Sequence, residues 1–104
     1  MLAAAMSFAA ALTASAAEAK DNWDANCAKC HGADGKGQTK IGQKLGVRDY
    51  SDAKVQDSLT DDAAFKATKE GLKDKDGKIQ MKPYSNLSDD EIKALVAYMR
   101  TFKK

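Results

Sequence analysis

Two cysteines and a histidine stand together in a short run that could hold a metal cofactor. Residues 27–31 read Cys-Ala-Lys-Cys-His and contain both cysteines and the only histidine of the 104-residue chain. A C-x-x-C-H run is the attachment signature of c-type haem. In this chemistry each thiol adds across a vinyl group, and the adjacent imidazole becomes an axial ligand of the iron. We therefore predict one covalently bound haem c, attached at Cys27 and Cys30, with His31 as an iron ligand.

Three other sites use a similar pair of cysteines. A structural zinc site usually repeats the C-x-x-C unit, and this chain has no second cysteine pair and no second histidine. A thioredoxin-like redox pair lies in a βαβ pattern, which the surrounding sequence does not show. A simple disulfide would leave His31 without a role. These alternatives are therefore weaker than haem attachment.

The second axial position of the iron needs a different ligand, and the methionines are the candidates. Met1 and Met6 belong to the apolar amino-terminal run, and Met99 falls in the apolar register of the last helix. Met81 lies in a non-helical stretch bounded by Pro83. Its neutral, soft thioether binds ferrous iron well and raises the potential. We predict Met81 as the sixth ligand, with a lysine ligand or an open position as the alternatives.

The first residues have the composition of an export signal. Residues 1–17 are rich in Ala, Leu, Met and Phe, and Ala14-Ser15-Ala16 resembles an A-x-A cleavage site. We predict a signal peptide over residues 1–16, a haem-binding domain over residues 17–104, and export to the periplasm as a soluble protein. An uncleaved anchor is the alternative, although a membrane span needs about 20 apolar residues. No Lys or Arg precedes the run, so a signal peptide that starts upstream of Met1 is a further alternative.

The remainder of the chain shows helical periodicity, and no stretch alternates polar and apolar residues long enough for a sheet. Ala19, Trp23 and Cys27 are spaced four residues apart, so they share one face of a first helix. Trp23 is expected to be a core contact. The pattern predicts an all-α fold of three to five short helices wrapped around the haem.

Capping residues mark the middle of the chain. Residues 42–50 are predicted to form a loop. Ser51 is predicted to cap a short helix that ends near Asp57. Thr60 is predicted to cap a helix that stops at Gly71, with two aspartates in its first turn, where the helix dipole favours negative charge.

The last helix has the clearest signals. Ser88 and Glu91 form a capping box, and Leu87 is placed for a hydrophobic staple with Ile92. Apolar residues then recur at helical spacing along one stripe, at Ile92, Leu95, Val96 and Met99. We predict a helix from Ser88 towards the carboxyl end, with this stripe in the core.

Together, the haem motif, the Met81-Lys82-Pro83-Tyr84 loop and the capped last helix resemble a class I monohaem cytochrome c. The bacterial c5/c6/c553-like soluble carriers are the nearest group. The resemblance implies a cytochrome c-like fold in which the first and last helices cross, here through Trp23 and Tyr98 or Leu95. It also implies His31 below the haem and Met81 above it. Residues 17–104 would then be the cytochrome c domain.

The sequence departs from this family at one point. Members commonly have a proline after the haem motif, near the carbonyl that receives the second N–H of the ligand histidine. Pro83 is the only proline of this chain. Because a metal-bound histidine needs such an acceptor, a carbonyl around Thr39 to Ile41 is expected to take this role.

Charge bears on the partners. The chain has 17 basic and 15 acidic residues and a net charge of +2, which argues against a nucleic-acid binder. Lysines within residues 36–48 and 66–82 are expected to surround the haem edge and to steer an acidic redox protein, such as an oxidase or a reductase. An ordinary solvated surface is the alternative. We expect a monomer that binds neither nucleic acid nor a small-molecule substrate.

The predicted function is a periplasmic one-electron carrier and not an enzyme. Both axial positions of the iron would be filled, so no substrate would bind. A haem subunit of a larger oxidoreductase is one alternative. An open-site haem enzyme or gas sensor is another, but the only histidine is already used as a ligand and cannot act as a distal base.

Overall fold

The structure is a computed structural model that describes residues 18–104. The predicted signal peptide over residues 1–16 lies outside the described residues. Within these residues, five helices and a short hairpin follow one another. We number them α1 (residues 18–31), α2 (Lys40–Leu45), α3 (Ala53–Ser58), α4 (Asp61–Glu70), β1 (Leu72–Lys73), β2 (Ile79–Met81) and α5 (Asp89–Arg100). The predicted helical class is therefore confirmed.

Helix α1 is helical through residues 18–31 but changes its winding on the way. It has a π-helical turn over Trp23–Cys27 and returns to α-helix over Ala28–His31. π-Helical turns are rare in proteins, and many of those that do occur lie at functional sites. Ala19, Trp23 and Cys27 are all buried, as their spacing predicts.

Helix α5 lies against α1 and closes the core. The predicted stripe of Ile92, Leu95, Val96 and Met99 is buried. Trp23 is a core contact, because its ring lies 6.0 Å from the ring of Tyr98. The capping box is present, since Ser88 accepts from the Glu91 N–H and Glu91 accepts from the Ser88 N–H.

The predicted cap at Thr60 is confirmed, and the one at Ser51 is wrong. Thr60 accepts from the Ala63 N–H at the start of α4. At the start of α3 the cap is Asp52, which accepts from the Lys54 N–H. The Ser51 hydroxyl instead donates to the Asp49 carboxylate at 2.6 Å. A carboxylate one residue further along thus takes the capping role.

Two predictions of irregular structure are also corrected. Residues 42–50 are not a loop throughout, because α2 continues to Leu45 and ends at Gly46, whose φ of 69° is left-handed. The chain also contains β structure, where β1 and β2 pair antiparallel with Leu72 opposite Met81. These strands have two and three residues, which is too short for an alternating pattern to be visible in the sequence.

Arg100 fastens the end of α5 to the middle of the chain. Its guanidinium donates to the backbone carbonyl and the side-chain oxygen of Gln56, to the carbonyl of Leu59 and to Asp61. Gln56 is buried and donates in turn to the carbonyls of Tyr50 and Met99. This network holds α3 and the Tyr50 loop against α5.

Within residues 18–104, no helix is both long and apolar enough to span a membrane.

Candidate haem site

The two cysteines stand on the last turns of α1 as free thiols. Cys27 is buried at the end of the π-helical turn, and Cys30 is half-buried on the α-helical turn that follows. Burial raises the pKa of Cys27 to about 11, and the charge of Cys30 adds to this effect. Cys27 is therefore protonated at neutral pH, and neither sulfur is used in a disulfide.

His31 closes the helix between two aromatic rings. Its imidazole stacks on Tyr50 with 5.3 Å between ring centroids and lies 5.7 Å from the ring of Trp23. Burial lowers the pKa of His31, which favours the neutral imidazole that binds metals. Among the described residues its buried Nδ1 has no hydrogen-bond partner. The ring thus has the protonation state of a metal ligand and an unsatisfied polar atom.

The acceptor expected for this histidine around Thr39 to Ile41 is not found in the structure. The Thr39 carbonyl accepts from the Gln43 N–H at 2.9 Å, and the Thr39 hydroxyl donates to the Cys30 carbonyl at 2.8 Å and accepts from the Gly42 N–H. The carbonyl of His31 accepts from the Gly37 N–H at 2.8 Å. The loop after the motif therefore satisfies the end of helix α1 and leaves the imidazole Nδ1 unpaired.

Close packing of α2 on α1 depends on Gly42. A Cβ at this position would lie 2.2 Å from the Cys30 carbonyl oxygen and 2.7 Å from that of Gly37. Both contacts are with backbone atoms, which cannot move aside without moving the helix end. The absence of a side chain at Gly42 therefore fixes where the attachment turn sits.

Met81 lies at the end of β2 and is half-buried. Its segment is held against α4 at Gly71, where a Cβ would lie 2.6 Å from the Met81 carbonyl oxygen and 2.9 Å from the Pro83 nitrogen. The N–H of Tyr84 donates to the Thr68 carbonyl at 3.0 Å. These contacts place the predicted ligand segment beside α4.

Tyr84 brings this segment to the attachment helix. Its hydroxyl donates to the carbonyl of Asn26, the residue before Cys27, at 2.7 Å. Burial raises the pKa of Tyr84, and the charges of Cys27 and Cys30 raise it further. The phenol therefore lies near both thiols and stays protonated as a donor. The structure in this way brings the Met81 segment to the helix that carries the other three predicted site residues.

The residues present fit a covalently bound haem. The site offers two free thiols, a neutral imidazole with an unpaired nitrogen, and a thioether on a neighbouring segment. Apolar side chains on the hairpin that carries Met81 are also exposed, with Leu72 at 50% and Ile79 at 61%. Exposed side chains of this kind are available to cover a large apolar group.

Two residues of the site have contacts that their place in the sequence does not signal. Tyr50 stacks on His31, and Tyr84 joins the Met81 segment to α1. The available signal at Tyr84 is an aromatic residue after proline in a non-helical stretch. Its partner Asn26 is 58 residues away, and no local pattern connects the two.

Comparison with known proteins identifies the family. Residues 16–103 match the family model described as Cytochrome c, and the chain belongs to this family. Members carry covalently bound haem c and serve haem-based electron transfer. Family membership thus favours haem over the zinc, thioredoxin-like and disulfide alternatives, and an electron carrier over an enzyme. It does not distinguish a c5/c6/c553-like branch, which stays a prediction.

Two solved structures are similar over most of the chain. The KustC0563 c-type cytochrome is 34% identical, with a TM-score of 0.71 over 82% of this chain and 96% of its own. A tyrosine-to-phenylalanine mutant of Kustc0563 is 32% identical, with a TM-score of 0.70 over 83% of this chain and 99% of its own. The cytochrome c-like fold is thereby confirmed. A comparison with curated proteins found no significant match.

Proposed function

We propose that this protein is a periplasmic one-electron carrier whose haem c is attached at Cys27 and Cys30 and ligated by His31 and Met81. The observation that carries the proposal is the contact of the Met81 segment with the attachment helix, made by Tyr84 on Asn26 at 2.7 Å. This contact supports the proposal because it joins the segment that carries Met81 to the helix that carries the two thiols and the imidazole. A bound haem would supply a reversible one-electron change at its iron.

The residues around the site would limit the chemistry of the haem to this one-electron change. Filling both axial positions leaves no place for a substrate on the iron. Trp23 and Tyr50 enclose the imidazole of His31 and keep it neutral. The thiol of Cys27 faces the core cluster of α1 and α5, which excludes water from that side of the site. The chain would thus bind, orient and shield the redox centre without making or breaking a bond.

The partner we propose is a redox protein with an acidic surface. The β1–β2 hairpin that carries Met81 also carries exposed lysines at Lys73, Lys75 and Lys78. Asp74 in the same turn is engaged by the N–H groups of Asp76 and Lys78 and by the side chain of Gln80. Asp76 is exposed in the same turn, so three exposed lysines outnumber two aspartates on the hairpin, and this positive excess beside the predicted sixth ligand supports an anionic partner.

A pair of methionine variants tests the ligand assignment. Ferric wild-type protein should show the weak far-red band that reports sulfur on iron. Met81→Leu should lose this band and bind carbon monoxide in the ferrous state. Met99→Leu makes the same substitution at a methionine of the buried core. This control variant should keep the band and exclude carbon monoxide. A band that survives in Met81→Leu would contradict the assignment.

The same preparations test attachment and export. Intact mass spectrometry should show one haem on a chain that begins at Ala17. A chain purified from its host with residues 1–16 still present would contradict the proposed cleavage of a signal peptide.

A further inference from the structure

The Met81 segment is held by contacts that differ in what they connect. The close approach at Gly71 and the bond from the Tyr84 N–H to the Thr68 carbonyl both tie the segment to α4 or its end. Among the hydrogen bonds of residues 18–104, only the one from the Tyr84 hydroxyl to the Asn26 carbonyl joins this segment to α1. The side chain of one residue thus connects the two halves of the site.

Tyr84 is well placed to hold this position. The residue is buried, with 9% of its surface exposed, and its partly buried hydrogen bond to Asn26 is costly to leave unmade. The ammonium of Lys82 lies over its ring, 5.3 Å from the centroid, as in a cation–π contact. Lys82 directly follows Met81 and precedes Pro83, so this contact joins the residue before the proline to the tyrosine after it. The segment is therefore folded around this tyrosine.

We propose that Tyr84 is a positioning residue that fastens the Met81 segment to the attachment helix and so determines how firmly the sulfur is held in place. This inference rests on the proposed function, because it takes Met81 as the sixth ligand. The carbonyl that accepts from the phenol belongs to Asn26, the residue before Cys27. The point where the Met81 segment meets α1 is therefore one residue from the first attachment cysteine. Release of the hydroxyl frees the segment on its α1 side and leaves its α4 contacts in place.

The test compares two tyrosine-to-phenylalanine variants of the holoprotein. Tyr84→Phe removes the hydroxyl and keeps the ring. Tyr98→Phe is the matched control, because within residues 18–104 the hydroxyl of Tyr98 makes no hydrogen bond and its ring also packs in the core. The readouts are the pH midpoint at which the far-red band is lost on the alkaline side and the rate at which imidazole replaces the sulfur.

In Tyr84→Phe the midpoint should fall by roughly half a unit to one unit. Imidazole should bind about three to ten times faster, in line with the net contribution of one intramolecular hydrogen bond. Tyr98→Phe should match the wild type in both readouts. The inference is overturned if Tyr84→Phe matches the wild type, or if both variants change equally.

Hydrogen exchange separates this inference from the ligand assignment. Amides within residues 79–84 should exchange faster in Tyr84→Phe than in the wild type, while amides of α3 exchange at an unchanged rate. If the wild type lacks the far-red band, Met81 is not the ligand, and exchange alone then decides the role of Tyr84. Equal exchange in the two proteins would overturn it.

Discussion

At the scale of single residues, the haem-attachment run could be interpreted from the sequence because its chemistry is local. Cys27, Cys30 and His31 need only the spacing of about one helical turn, and the structure places all three on the end of α1. The environment of His31 could not be predicted in the same way. Tyr50 comes from a distant loop, and its stacking on the imidazole depends on tertiary packing.

Arg100 is a residue whose importance its sequence position does not show. Its place at the end of the last helix predicts only a favourable interaction with the helix dipole. In the structure its side chain, 30% exposed, donates to Gln56 and to the carbonyl of Leu59. These partners lie more than forty residues away in sequence, so no helical pattern could reveal them.

Arg100→Met should lower the free energy of unfolding by about 2–3 kcal/mol, because it leaves carbonyl groups in a partly buried site without their charged donor. Asp61→Asn is the control, since Asp61 is 76% exposed and its ion pair with Arg100 is worth less than about 1 kcal/mol. Urea unfolding of both variants provides the measurement. Equal losses in the two variants would show that the ion pair, and not the carbonyl bonds, carries the effect.

At the scale of secondary-structure elements, caps and stripes were more predictable than boundaries. The capping box and buried face of α5 follow from the i, i+3, i+4 pattern, and both are present. The cap of α3 was assigned one residue early, because Ser51 and Asp52 are both good caps. The hairpin was missed because two short strands give no periodic signal and are defined by each other.

The capping box makes the stability that α5 gives to the fold depend on pH. The N–H and the hydroxyl of Ser88 hold the pKa of Glu91 below its usual value. A carboxyl with a lowered pKa in the folded state stabilises the protein above its unfolded pKa. That stabilisation is lost as the pH falls through the pKa of the carboxyl in the folded state.

Glu91→Gln should therefore show a flatter decline of unfolding free energy than the wild type below about pH 4.5, near the unfolded pKa of glutamate. Asp90→Asn, in the same first turn of α5, is the control and should keep more of the decline. Unfolding by urea at a series of pH values measures both. The same slope in Glu91→Gln and wild type would contradict the assigned role of the box.

At the scale of the whole molecule, surface charge is arranged unevenly around the site. Lys69 is paired with Asp89 at 2.9 Å, whereas Lys73 and Lys78 stand exposed on the hairpin that carries Met81. The net charge of +2 by itself is too small to indicate a partner. Position relative to the site is what favours steering of an anionic protein.

Two double variants with the same net charge test this steering. Lys73→Gln with Lys78→Gln should slow electron transfer to an acidic redox protein about three- to tenfold at low ionic strength. Lys54→Gln with Lys93→Gln removes two charges from α3 and α5 and should have a smaller effect. The difference should vanish above about 0.5 M salt, where charges are screened within a few ångströms. Equal slowing in both, or rates that do not depend on salt, would contradict local steering.

The position of Trp23 gives the protein an optical probe of its own. It is the only tryptophan of the chain, and its indole N–H donates to the Gly32 carbonyl at 2.9 Å. Its ring lies 5.7 Å from His31 and 5.1 Å from Phe102 near the carboxyl end. A haem attached at Cys27 and Cys30 would absorb the indole emission, and because Trp23 lies only four residues before Cys27 the fluorescence would stay dark when the holoprotein unfolds and would be bright only in a chain without haem. Haem attachment can therefore be followed without any added label.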